Sequence, residues 1–250
     1  MVAKTPVTSI WEIEPHTQAK HDILRKYLNA WIPKITKYNR RVLFCDGFAG
    51  PGVYKNGEDG SPLIAIRTLI NHAHFPKINA EIVFLFIEKN RDRLACLEQK
   101  INSIELPKNV KCYTFCGFYE KVFDQILNDI ESKDVRLDPT LLFVDPFGVS
   151  GNPLSLIKRF MNYQKCEVFI NIMTSWIARF IETPEFEPHC QELFGCDDWR
   201  NAMMLPEEEQ RIEALCQLYE ARLTNTINGA GAKYVRKFRF FEGSCGARRN

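Results

Sequence analysis

An α/β fold, doubly wound around a mostly parallel sheet, is predicted by three features of the 250-residue sequence. Five short apolar runs alternate with stretches of helical periodicity. The runs are unbroken rather than alternating with polar residues, which is the pattern of strands covered on both faces. A glycine-rich loop follows the first run, and three of the runs end on an acid: Asp46, Glu88 and Asp145.

Residues 1–40 read as an N-terminal helical extension and residues 41–250 as the sheet domain. In 16–32, Ile23, Leu24, Tyr27, Leu28 and Trp31 fall on one helical face, and Pro33 is expected to close the run. Residues 41–45 read as a strand ending at Asp46. After the loop DGFAGPGVYKNGEDGS comes a helix, with Ser61 as its N-cap and Pro62 as its first residue. Strands at 82–87, 110–115 and 140–145 alternate with helices at 91–104, 119–132 and 153–163, and a fifth strand spans 166–172. Residues 176–228 read as mostly helical and 232–241 as a late strand.

Composition narrows the class. Hydrophobic residues make up 45%, charged residues 26%, and the net charge is +2, an ordinary soluble balance. No apolar run is long enough to span a bilayer, and MVAKTPVTSIWEIEPH lacks the apolar core of a signal peptide, so a cytoplasmic protein with no membrane partner is expected. The nine cysteines include no Cys-x-x-Cys pair and read as buried free thiols. His189, Cys190 and Cys196 match no strong zinc spacing, so no metal is expected. Basic residues form two stripes: Lys20, Arg25, Lys26, Lys34, Lys37, Arg40 and Arg41, and Lys233, Arg236, Lys237, Arg239, Arg248 and Arg249. Two such stripes fit a nucleic-acid partner or a solvated face equally well.

In an open parallel sheet, ligands bind beyond the carboxyl ends of the strands. There the sequence places Asp46-Gly-Phe48-Ala-Gly50-Pro-Gly52. The glycine order is wrong for a dinucleotide fingerprint, and no Gly-Lys-Ser/Thr follows to make a phosphate loop. The form acid-x-x-x-Gly-x-Gly resembles motif I of class I methyltransferases. That resemblance implies S-adenosylmethionine as cofactor and makes Asp46, Phe48, Gly50 and Gly52 cofactor-binding candidates. Glu88 then suits the ribose hydroxyls. Phe118 suits stacking on the adenine, although packing alone accounts for it nearly as well.

Asp145-Pro146-Phe147-Gly148 is the most informative tetrapeptide. It resembles motif IV of amino-methyltransferases, in which the acid and a backbone carbonyl accept hydrogen bonds from a target amine and the aromatic ring stacks on the base. By that resemblance Asp145, Pro146 and Phe147 are the catalytic candidates. The usual second proline is missing and the aromatic comes one place early, which leaves a strand-end turn with Phe147 in the core as the other reading.

Together HTQAKHDILRKYLNAW, DGFAGPGVY, GEDGSPL, FLFIEKN, LLFVDPFG and NIMTSWIARF resemble the three-Cys-motif partner family over residues 11–181. The resemblance implies a methyltransferase-like fold and a companion three-Cys-motif protein. It singles out His16, Lys20 and His21 as capping the ligand edge of the sheet, and Tyr54 and Arg179 beside Lys20 as substrate-binding candidates. Arg179 suits a phosphate or an acid, and a structural salt bridge accounts for it equally well. A seven-stranded methyltransferase sheet closes with a hairpin of strands six and seven, and the sequence supplies no strand seven, so the domain reads as C-terminally truncated. The function expected is methyl transfer to a nitrogen of a nucleobase in RNA or DNA. The alternative is a non-catalytic subunit serving the three-Cys-motif protein.

Overall fold

The computed structural model describes residues 10–224 and 232–238. Among these, five strands form one all-parallel sheet in the order β3-β2-β1-β4-β5: β1 (Arg41–Asp46), β2 (Glu81–Glu88), β3 (Val110–Cys116), β4 (Thr140–Val144) and β5 (Glu167–Ile170). β1 is central. Its register sets Asp46 against Phe86 of β2 and against Phe143 of β4. Five strands linked by helical crossovers are the doubly wound α/β architecture the apolar runs predict.

Alternation along the strands divides the core into two layers. Phe44, Phe84, Phe86, Leu141 and Phe143 point to one face, where they meet α1 (Pro15–Thr36), α2 (Ser61–Ile70) and α3 (Arg91–Asn102). Cys45, Ile87, Leu142 and Val144 point to the other, against α4 (Tyr119–Ser132), α5 (Leu154–Met161) and a C-terminal helical layer. That layer comprises α6 (Thr174–Phe180), α7 (Glu187–Phe194) and α8 (Glu208–Thr224), as the helical reading of 176–228 expects up to residue 224; residues 225–228 lie outside the described residues. The inner strands are almost fully buried, whereas the outer strands β3 and β5 are half-buried. Coverage on both faces, which the apolar runs predict, therefore holds for the three inner strands and only in part for β3 and β5. No helix among the described residues is long and apolar enough to cross a membrane.

Three local expectations are corrected. Pro33 does not close the first helix; α1 runs through it to Thr36. Proline lacks the N–H that the Asn29 carbonyl would accept. His72, just past α2, replaces it: its Nε2 lies 3.0 Å from the Asn29 oxygen. The His74 N–H donates to His72 Nδ1 at 3.0 Å, so Nδ1 is the acceptor and Nε2 carries the proton. Second, the N-cap of α2 is Gly60, one place before Ser61. The Gly60 N–H donates to the Gly52 carbonyl at 2.7 Å, and a Cβ on Gly60 would sit 3.0 Å from that carbonyl, so only glycine lets the two loop strands approach. Third, residues 232–238 of the expected late strand pair with no strand among the described residues. Residues 239–241 of that expectation lie outside the described residues, as does the basic cluster from Arg239 onward.

The Pro33–His72 pairing has a measurable consequence. His72→Ala should cost about 1 kcal/mol in the natural sequence, the worth of a lost hydrogen bond. In a Pro33→Ala background the helix supplies its own N–H, and the cost should fall to what the exposed His74 N–H contact alone is worth. Urea denaturation of the four proteins checks this coupling.

Candidate functional site

Because β1 has β2 on one side and β4 on the other, the winding of the chain reverses between β1 and β4. Crossovers leave a crevice at such a point, beyond the carboxyl ends of the strands. Asp46 ends β1, Asp145 follows β4 and Glu88 ends β2, so the sequence's three strand-end acids stand along one rim.

Asp46 is fully buried. Its Oδ1 accepts the Phe48 N–H at 3.0 Å, while Oδ2 has no well-formed partner. Burial pushes its carboxyl up to about 7, and the charges of Asp145 and Glu88 add to that; the nearby Ser61 hydroxyl and the Phe48 N–H pull the other way. The Phe48 ring turns into the core, 5.2 Å from Tyr119.

Gly50 and Gly52 hold φ values of 62° and 77°, which favour glycine. The Gly50 N–H donates to Glu88 Oε2 at 3.0 Å, and Asn90 N–H donates to Oε1 at 2.8 Å. Glu88 thus braces the loop after β1 against the turn after β2. Each carboxylate oxygen keeps a lone pair for a further donor. The Gly117 N–H donates to the Glu88 carbonyl, which sets the β3–α4 turn beside it. There Phe118 stands half exposed, with the ammoniums of Lys89 and Lys121 5.6 and 5.5 Å from its ring centroid.

The β4 side is built from more distant sequence. Lys20, from α1, donates to both oxygens of Asp145 at 2.7 Å, and Asn171 Nδ2 donates to Oδ1 at 2.9 Å. The pair is nearly buried, with side-chain exposures of 8% and 15%. His21 lies beside it with Nδ1 unpartnered. Burial lowers its pKa to about 4, with Lys20 and Arg25 reinforcing and Asp145 opposing, so its imidazole is neutral. The Tyr54 ring lies 5.7 Å from that imidazole; burial, then the charges of Asp145 and Asp46, push its phenol up. Pro146 is buried, while Phe147 is exposed and meets the Trp11 ring edge-on at 5.3 Å. The alternative reading, a turn with Phe147 in the core, is therefore not the arrangement it takes.

Ten of the twelve candidates stand on or beside this rim. The exceptions are Phe48, a cofactor-binding candidate whose ring packs into the core against Tyr119, and Arg179, exposed on α6 and paired with Glu208 of α8 at 3.5 Å. The sequence reading missed Asn171 and Trp11. Asn171 was detectable as a polar residue at the carboxyl end of the run CEVFINI. Trp11 carries no local signal, because it reaches the rim through an irregular segment.

Among the described residues, no three or more histidines, cysteines or acids gather to hold a metal. Of the eight described cysteines, Cys45 and Cys190 are buried and Cys116 is exposed, so buried free thiols describe only part of the set. Cys245 lies outside the described residues.

Asp46 predicts a pH dependence. A carboxyl whose folded pKa is raised binds its proton more tightly in the folded state, so its contribution falls as pH rises from about 4 to about 7. Asp46→Asn should therefore gain stability relative to the natural protein across that window and hold the gain above it. Chemical denaturation at pH 5 and pH 8 measures the difference.

A scan against protein-family models and a search of curated proteins give no match. Among solved structures, the chain is similar to Trm1 from Pyrococcus horikoshii in complex with S-adenosyl-L-methionine, at 11% identity and a TM-score of 0.46. That similarity covers 88% of this chain and 52% of Trm1, so the chain spans about half the length of that protein. It is also similar to the SAH-bound methyltransferase PaMTH1 from Podospora anserina, at 14% identity and a TM-score of 0.34, over 84% of this chain and 79% of that one.

Proposed function

We propose that the chain is an S-adenosylmethionine-dependent methyltransferase acting on a nitrogen of a nucleobase in RNA or DNA, and a member of the three-Cys-motif partner family. The observation that carries this reading is the rim itself. Gly50, Gly52 and Glu88 lie together on the β1–β2 side of the switch point, and Asp145 and Phe147 stand across it after β4.

The residues fit a sulfonium nucleoside. Gly50 has no side chain toward the crevice, and the two oxygens of Glu88 each retain an acceptor site for a ribose hydroxyl. Phe118, beyond β3, offers a ring face to the adenine. When bound, the cofactor supplies an electrophilic methyl group. Asp145 then accepts a hydrogen bond from the target amine, which orients the nitrogen lone pair, and Phe147 contacts the base; the contribution is positioning. Lys20 and Asn171 fix the Asp145 carboxylate for that task.

A second reading, a non-catalytic subunit for a three-Cys-motif protein, is favoured by one contact. Lys20 occupies both oxygens of Asp145, where the amine would bind.

Calorimetry with S-adenosylmethionine should show binding that weakens about tenfold in Glu88→Gln, one hydrogen-bond's worth. No heat at millimolar cofactor would remove the enzyme reading. Radiolabelled cofactor offered to total RNA, DNA and a purified three-Cys-motif protein should label nucleic acid. Asp145→Ala should cut that transfer by about a hundredfold while binding persists. Unchanged transfer would remove Asp145 from the chemistry, and binding with no transfer to any acceptor would favour the subunit reading.

A further inference from the structure

The described chain begins with a short irregular strap, residues 10–14, that precedes α1 and crosses the rim. It is fastened at two points to the loop after β1. The Lys55 N–H donates to the Trp11 carbonyl at 2.8 Å, and Lys55 Nζ pairs with Glu12 at 3.1 Å. Between these fastenings the Trp11 indole is set into the crevice. The Arg93 guanidinium lies over its ring at 4.8 Å, the Tyr54 ring meets it edge-on at 5.9 Å, and Phe147 closes from the β4 side.

The indole also covers Gly50. A Cβ built on Gly50 would meet one atom within 4 Å, a ring carbon of Trp11 at 3.9 Å. Gly50, Gly52, Asp46 and Glu88 are all buried. The groups best suited to hold a nucleoside are thus shut off from solvent, with the strap's own aromatic ring lying over the glycine loop. A planar bicyclic ring flanked by a guanidinium and two aromatic edges is also the kind of object that a nucleotide site takes.

We propose that the strap is an autoinhibitory gate: Trp11 fills the crevice between Gly50, Tyr54, Arg93 and Phe147, and it must swing out before the nucleoside cofactor can enter. This rests on the cofactor reading of the rim given above. Among the described residues, the strap is fastened to the loop after β1 by one backbone hydrogen bond, one exposed ion pair and ring contacts, with side-chain exposures of 65% and 68% at the Lys55–Glu12 pair. Exposed pairs of this kind are weak, so the strap opens without unfolding the sheet. A partner or acceptor that captured the open strap would raise cofactor affinity at a site it does not touch.

A cleft that is open for only a fraction of the time binds its ligand more weakly by that fraction. The test is calorimetry with S-adenosylhomocysteine on the natural chain, Trp11→Ala and Glu12→Lys, each checked for an unchanged melting temperature. Trp11→Ala should bind about tenfold more tightly, corresponding to a strap open roughly a tenth of the time. Glu12→Lys, which keeps the indole but repels Lys55, should fall between. Hydrogen exchange supplies a readout that a simple wall would not move: the ligand should speed exchange at the Lys55 amide, as its Trp11 acceptor leaves. Equal or weaker binding by Trp11→Ala, or slower exchange at Lys55 on ligand addition, would overturn the gate and leave the cofactor reading standing. Binding by none of the three proteins at millimolar ligand would overturn both.

Discussion

The parallel pairing of β1 with both β2 and β4 is the constraint from which the rest follows. One neighbour is reached by a crossover through α2, on one face; the other arrives after α4, on the opposite face. Helices diverge above the junction and leave a crevice that neither layer can fill. Three chain reversals meet there, and each presents a carboxylate. Asp46 and Glu88 are buried, and Asp145 is nearly so. Three acids converging in low dielectric repel one another, and the fold answers each differently. Asp46 responds by holding its proton more tightly, Glu88 by accepting two backbone N–H groups, and Asp145 by taking an ammonium and an amide.

Most of the architecture was legible because it depends on periodicity. The strand at 82–87 and the helix at 119–132 are set by local apolar spacing and by turn residues, and the structure has them within a residue or two. The misplaced details depend on remote groups. Pro33 is tolerated because a histidine some forty positions later supplies the missing donor. Ser61 yields its cap role because Gly52 approaches Gly60 too closely for any side chain there. Neither partner announces itself nearby in sequence.

The site divides along the same line. The positions of the glycine loop and the three acids were readable because they follow from strand ends. What surrounds them was not: the Lys20–Asp145 contact spans 125 positions, and Asn171 comes from a neighbouring strand. Trp11 belongs to no periodic element at all. Arg179 shows the converse, a residue singled out by resemblance whose visible partner, Glu208, lies in the helical layer.

The origin of Lys20 bears on how this protein can change over time. A division at residue 40 separates a helix from a sheet in sequence, but Lys20 and its neighbour His21 project from that helix into the rim, while Trp31 of the same helix donates to Glu167 on β5 at 2.8 Å. The leading helix is therefore part of the pocket's inner wall rather than a detachable ornament. Replacing it with a helix that lacks Lys20 would leave the nearly buried Asp145 carboxylate with Asn171 in place of an ammonium.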